Sequence, residues 1–188
     1  VQEKHAHDYV SYVDKASEKK VVSALRKLLP EAGFIAEEGS AAYSDETYCW
    51  VVDPLDGTTN YIHDNAPYCV SIALRDKQSL LLGVVYEPCR DECFYAWKGG
   101  GAYVNGERLR VSLVSELKDA FVVTELPYNF EQYARTGEHL IHELYGKVVG
   151  IRMNGSAALA LCYVAAGRFD AWLEAFIGKW DFSAAALM

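Results

Sequence analysis

One string limits this chain more than any other: Trp50-Val51-Val52-Asp53-Pro54-Leu55-Asp56-Gly57-Thr58-Thr59-Asn60-Tyr61. Its apolar start reads as a strand that delivers Asp53 to its end. Pro54 fixes the backbone and removes a donor. Two carboxylates then stand three residues apart on a tight turn. Gly57 and Thr58 follow with backbone N–H groups that can bind an anion where a helix begins. Carboxylates beside an anion site repel the anion unless a cation lies between them. Hard oxygen donors beside a phosphate site suit Mg²⁺. On its spacing alone, D-x-x-D-G can also be a turn in which Asp only caps the chain.

The rest of the composition narrows the classes. The formal charge of −8 argues against nucleic acid, which calls for basic patches. No apolar run reaches the ~18 residues of a membrane helix, and the stretch 156–167 reads as a buried helix. The polar start gives no sign of a signal peptide, and five cysteines without a C-x-x-C pair read as free thiols. A cytoplasmic location is therefore expected. A length of 188 residues suits one domain. Two sub-lobes are expected, about 1–115 and 116–188, joined near Ser115 to Asp119. The absence of an initiator Met suggests a chain incomplete at both ends.

Periodicity predicts a helix from Asp14 to Leu29, with Asp14 as its N-cap. Strands are predicted at 34–37, 48–53, 69–74, 80–86, 93–97, 101–104 and 108–111, the last after an Asn105-Gly106 hairpin turn. The first half thus reads as a mostly antiparallel sheet with a helical layer. The second half alternates: strand 121–124, helix 130–145, strand 148–152, helix 157–166, strand 170–175, and a last helix started by Asp181. That alternation implies α/β layering.

The central string resembles the signature of the inositol monophosphatase family, within the lithium-sensitive magnesium phosphatases. Four further segments match it in order. They are Asp14 at a helix start, Glu37-Glu38 after Phe34-Ile35-Ala36, Gly155-Ser156-Ala157, and Trp180-Asp181. The resemblance implies a layered αβαβα sandwich and two or three Mg²⁺ per site. It implies that Glu37, Asp53 and the Leu55 carbonyl hold one metal, and Asp53, Asp56 and Asp181 a second. Gly57 and Thr58 would bind phosphate, and Thr58 with Asp14 would orient and deprotonate the attacking water. Gly155, Ser156 and Ala157 would line the substrate loop. Glu174, seven residues before Asp181, would accept hydrogen bonds from ring hydroxyls, as a carboxylate can. Family members are often homodimers.

Taken singly, these residues also have plainer readings. Glu37 and Glu38 can be solvated charges, Asp14, Ser156 and Asp181 helix caps, and Glu174 an exposed strand end. His63 reads as a surface residue or one standing behind the metal ligands, and His139 and His142 as solvent-facing. Thr58-Thr59-Asn60-Tyr61 favours an inositol phosphatase over a fructose bisphosphatase or a phosphoadenosine phosphate phosphatase. Pro127-Tyr128, Lys179 and Ser183 depart from the family pattern and leave room for a sugar phosphate or a lipid-linked inositol phosphate. The segment 39–47 looks short for the mobile loop near the metals. A non-catalytic binding relative is the reading from another class.

Overall fold

The computed structural model describes residues 2–5 and 8–188. A hairpin of β1 (Gln2–His5) and β2 (Asp8–Val10) leads into helix α1 (Tyr12–Leu28). Its N-cap is Ser11, whose hydroxyl accepts from the Val13 N–H at 3.0 Å. Asp14 sits three residues further on and accepts the Ser11 N–H at 2.8 Å. The reciprocal pair is a capping box, so Asp14 is its acidic member and not the cap that periodicity suggested.

Seven strands follow: β3 (Gly33–Ala36), β4 (Cys49–Asp56), then, after helix α2 (Thr58–Ile62), β5 (Cys69–Arg75), β6 (Leu80–Glu87), β7 (Glu92–Trp97), β8 (Gly101–Val104) and β9 (Glu107–Arg108). They form one sheet in sequence order, in which β3 and β4 are parallel and the other neighbours antiparallel. β4 is buried along its whole length. The Asn105-Gly106 turn has φ of 48° and 89°, as a type I′ hairpin requires. β9 is shorter than expected. Beyond Leu109 the chain leaves the sheet edge to pass against Gly167, where an added Cβ would lie 2.9 Å from the Arg110 carbonyl. There the Ser112 hydroxyl donates to Asp170.

After a 3-10 turn at Leu117–Asp119 come β10 (Phe121–Thr124), α3 (Phe130–Leu144), β11 (Gly150–Arg152), α4 (Ala157–Ala165), β12 (Ala171–Leu173) and α5 (Lys179–Phe182). The three strands make a parallel sheet in the order β11-β10-β12. α5 begins at Lys179 with Gly178 as N-cap, so Asp181 again lies three residues past the cap.

Three apolar clusters fix the layers. Val22 and Leu25 of α1 pack on Phe34, Trp50 and Val52. Leu159 and Cys162 of α4 lie with Val51, Val85 and Phe94 of the large sheet and Val123 of the small one. Leu144 of α3 closes the outer side of the small sheet with Ala120 and Val122. The order is helix, sheet, helix, sheet, helix: a layered αβαβα sandwich. α4 can stand in the middle because its small residues Ala157, Ala158 and Ala160 are all buried.

One polar pair sits inside this core. Glu87 is 1% exposed and accepts the Tyr163 hydroxyl at 2.5 Å. Tyr163→Phe strands that carboxylate. The expected cost is ~1–3 kcal/mol, read as a lower urea midpoint with an unchanged slope.

Candidate active site

The site forms where β4 ends. β4 and β5 shift register between the pairs Asp53↔Ser71 and Asp56↔Cys69, three residues opposing two, so both carboxylates face the same side of the sheet. Asp53 is 2% exposed, and its Oδ1 accepts the Leu55 N–H at 2.9 Å. Gly57 then takes φ of 93°. A side chain there would be strained and would meet the Gly155 and Pro67 carbonyls at 3.1 Å. The start of α2 carries no side-chain cap, so its first N–H groups are not taken by one.

Asp14 is fully buried. Its Oδ2 holds the Ser11 N–H and hydroxyl, and its Oδ1 lies 2.8 Å from Thr58 Oγ1. Thr58 Oγ1 also lies 2.9 Å from the Leu55 carbonyl. The single hydroxyl proton can serve only one of these acceptors. When it goes to Asp14, the Leu55 carbonyl is free to bind something else.

Asp56 is fixed from α4. Its Oδ2 accepts the Ser156 hydroxyl and the Ala158 N–H, each at 2.7 Å. Asp181 Oδ2 accepts the Gly178 N–H at 2.6 Å. The Ser71 hydroxyl donates to the Trp180 carbonyl at 3.2 Å and ties this turn to β5. Glu37 follows β3, and its own N–H bonds the Val52 carbonyl at 3.2 Å.

A cavity of about 910 Å³ gathers Glu37, Asp53, Asp56, Thr58, Glu174 and Asp181 along its wall. Gly57, Leu55, Gly155, Ser156 and Ala157 also line it. Asp14 stands behind Thr58 and does not line it. His63, His139 and His142 are exposed and lie outside this lining, as their sequence positions suggested.

Electrostatics distinguish this cavity from an ordinary cleft. Burial pushes the Asp53 carboxyl well up, and Glu37, Asp56 and Asp181 push it further. Glu37 and Asp53 are within hydrogen-bonding reach of each other. Two carboxylates stay that close by sharing a proton or by binding a cation. Burial also raises Asp56 to about 6, against the opposing hydrogen bonds from Ser156 and Ala158. Glu174 is raised to about 8, chiefly by burial and then by Glu125 and Asp181. Its Oε2 is buried without a partner.

Such an all-oxygen, charge-crowded set fits a hard divalent cation. Among the described residues, however, no three His, Cys, Asp or Glu side chains converge as a ready-made metal cage. Asp181 leans on the Gly178 N–H and Asp56 on α4, so each carboxylate is held by protein donors of its own.

These shifts predict a pH dependence for the metal-free protein. A carboxyl raised on folding binds more protons in the native than in the unfolded chain. Stability is then highest below the unfolded value of about 4 and falls as pH rises through the folded values. For Asp56 and Glu174 that window ends near 6 and near 8 respectively. Urea midpoints measured in chelator should drop between pH 5 and 8, and Glu174→Gln should flatten the upper part of the fall.

Two residues that sequence reasoning did not single out support the site. Glu18 is fully buried, and its two oxygens accept the Glu38 and Ser40 N–H groups at 2.7 Å each. It thereby holds the turn that carries Glu37. Its position four residues after Asp14, on the same helix face, was the available signal. Glu125, just after β10, also lines the cavity. Burial raises its carboxyl.

Fold and cleft together define an αβαβα sandwich with an acidic, oxygen-rich cavity formed where β4, α4 and α5 meet. The description "Inositol monophosphatase family" matches residues 1–188. The chain is 46% identical over 197 residues to a Pseudomonas aeruginosa protein named Nus factor SuhB, covering 100% of this chain and 71% of that one. It is 40% identical over 186 residues to the inositol-1-monophosphatase of Rhizobium meliloti, covering 96% of this chain and 68% of that one. The crystal structure of extragenic suppressor protein suhB from Bartonella henselae superposes with a TM-score of 0.94 at 39% identity, over 99% of this chain and 72% of that one. The chain belongs to the inositol monophosphatase family.

Proposed function

We propose that the chain is a Mg²⁺-dependent phosphomonoesterase acting on myo-inositol monophosphate or a close polyol phosphate. The observation that carries this reading is Asp53: a carboxylate 2% exposed, crowded by Glu37, Asp56 and Asp181, at the wall of an open cavity. Glu37, Asp53 and the Leu55 carbonyl would hold one cation, and Asp53, Asp56 and Asp181 another. When bound, the cations neutralise the phosphate and lower the pKa of coordinated water.

The chain's own groups supply the remainder. Asp14 holds the Thr58 hydroxyl, and the pair would orient the attacking water and take its proton, as general-base catalysis needs. The Gly57 and Thr58 N–H groups would bind phosphate oxygens. Gly155, Ser156 and Ala157 form the wall beside Asp56. Glu174 offers a buried acceptor that a vicinal pair of hydroxyls could satisfy. Once ionised, above its raised pKa of about 8, it would repel a second phosphate.

The name of the Pseudomonas relative describes that protein and is not carried to this chain, whose net charge is −8. Phosphate release should be measured with and without Mg²⁺ on myo-inositol 1-phosphate, fructose 1,6-bisphosphate and phosphoadenosine phosphate. Preference for either bisphosphate would overturn the substrate assignment. Silence on every ester would leave a binding protein.

A further inference from the structure

The turn before α4 is clamped from two sides, by Glu125 and by Asn60. Glu125 Oε1 accepts the Asn154 N–H at 2.6 Å and the Gly155 N–H at 2.9 Å. From the other side, the Asn60 side-chain amide donates to the Asn154 carbonyl at 2.7 Å and to the Pro67 carbonyl at 2.8 Å. Gly155 has φ of 73°, and a Cβ there would lie 2.9 Å from the Asn60 amide. A side chain at 155 would be strained and would crowd the Asn60 amide. The next residue is Ser156, 1% exposed, the N-cap of α4. Its hydroxyl and the Ala158 N–H hold Asp56 Oδ2.

We propose that Glu125 and Asn60 are positioning residues that lock the turn at 154–155 and so set the orientation of the Asp56 carboxylate. The inference rests on the metal-dependent reading of the site for its consequences in catalysis, but the clamp itself can be read without turnover. A side chain's worth here lies in which atoms it offers. The two amides that Glu125 binds need one acceptor oxygen, and glutamine retains one. The two carbonyls that Asn60 binds need two N–H donors, and aspartate has none.

The pattern of variants is therefore distinctive. Glu125→Gln should keep Mg²⁺ affinity and kcat within about threefold of the parent, as expected when a neutral acceptor replaces a charged one. Glu125→Ala and Asn60→Asp should each weaken Mg²⁺ binding and lower kcat by roughly tenfold, the scale of losing ~1.4 kcal/mol of orientation. KM for the phosphate ester should change little. Binding is read by Mg²⁺-induced thermal shift. Hydrogen exchange at the Ala158 amide should quicken in Glu125→Ala and Asn60→Asp, and not in Glu125→Gln. If Glu125→Gln falls as far as Glu125→Ala, the Glu125 charge acts on cation or substrate and positioning is wrong. The proposal also fails if Glu125→Ala and Asn60→Asp both leave exchange and Mg²⁺ binding untouched. Should the parent protein release no phosphate, the functional reading falls, while exchange at Ala158 still decides for or against the clamp.

Discussion

Asp53→Asn is expected to abolish Mg²⁺-dependent phosphate release, by roughly 10³-fold or more, equivalent to about 4 kcal/mol of barrier. The substitution is gentle on structure. Asparagine keeps an oxygen where Oδ1 accepts the Leu55 N–H at 2.9 Å. What disappears is one charge in a crowd, since burial and three neighbouring carboxylates already raise the Asp53 carboxyl. Two readouts should therefore move in opposite directions. Without metal, the variant should resist urea at pH 8 better than the parent, because repulsion has been relieved. With Mg²⁺, it should lose most of the thermal stabilisation that cation binding confers on the parent. Activity that barely changes at saturating Mg²⁺ would remove Asp53 from the proposed cation sites.

Asp14→Asn tests the water-activating pair and carries a structural cost as well. The partners of this carboxylate among the described residues are donors: the Ser11 N–H and hydroxyl on Oδ2 and the Thr58 hydroxyl at Oδ1. An asparagine presents its NH₂ to one side or the other. With the oxygen toward Ser11, the NH₂ meets Thr58 and can turn that hydroxyl's proton toward the Leu55 carbonyl. With the oxygen toward Thr58, it opposes the Ser11 N–H. The second orientation leaves a buried donor unmatched, at about 1–3 kcal/mol; the first keeps every bond and loses only the charge of the acceptor. Activity should fall by ~10²–10⁴-fold, the usual worth of a general base. The comparison with Ser11→Ala separates the two effects. Ser11→Ala weakens the cap by ~1 kcal/mol but leaves Asp14 charged beside Thr58, so turnover per folded molecule should persist. If both variants lose only stability, Asp14 is a capping residue and nothing more.

The reading from sequence succeeded where local chemistry determines local structure. β4 was legible from its apolar run, but the tight turn expected at Pro54 to Gly57 is largely strand: β4 continues through Asp56 with a register shift against β5. β8 and β10 appeared with the bounds that alternation predicted. Both misplaced helix starts have one cause. Asp14 and Asp181 each look like an N-cap in sequence, yet each lies three residues past the cap and accepts its backbone N–H. The true caps are Ser11 and Gly178. The strand expected at 108–111 failed because a tertiary contact with Gly167 draws the chain off the sheet edge. Glu18 and Glu125 were not legible as site residues. Their partners are backbone amides 20 to 30 positions away, and backbone amides carry no sequence signature. Glu174 was picked out only through the family resemblance, and its unpartnered buried oxygen is a property of the folded cavity.

The cavity draws its carboxylates from distant parts of the chain. Asp53 lies in a strand of the large sheet, and Asp181 follows the last strand of the small one. A cation shared by the two would be a removable cross-link closing most of the polypeptide into one loop, and long loops gain most from closure. The exposed stretch 113–119 lies inside that loop. A protease nick there would leave the two pieces stapled through the metal as well as through the apolar core, and a chelator would weaken that staple without touching a covalent bond.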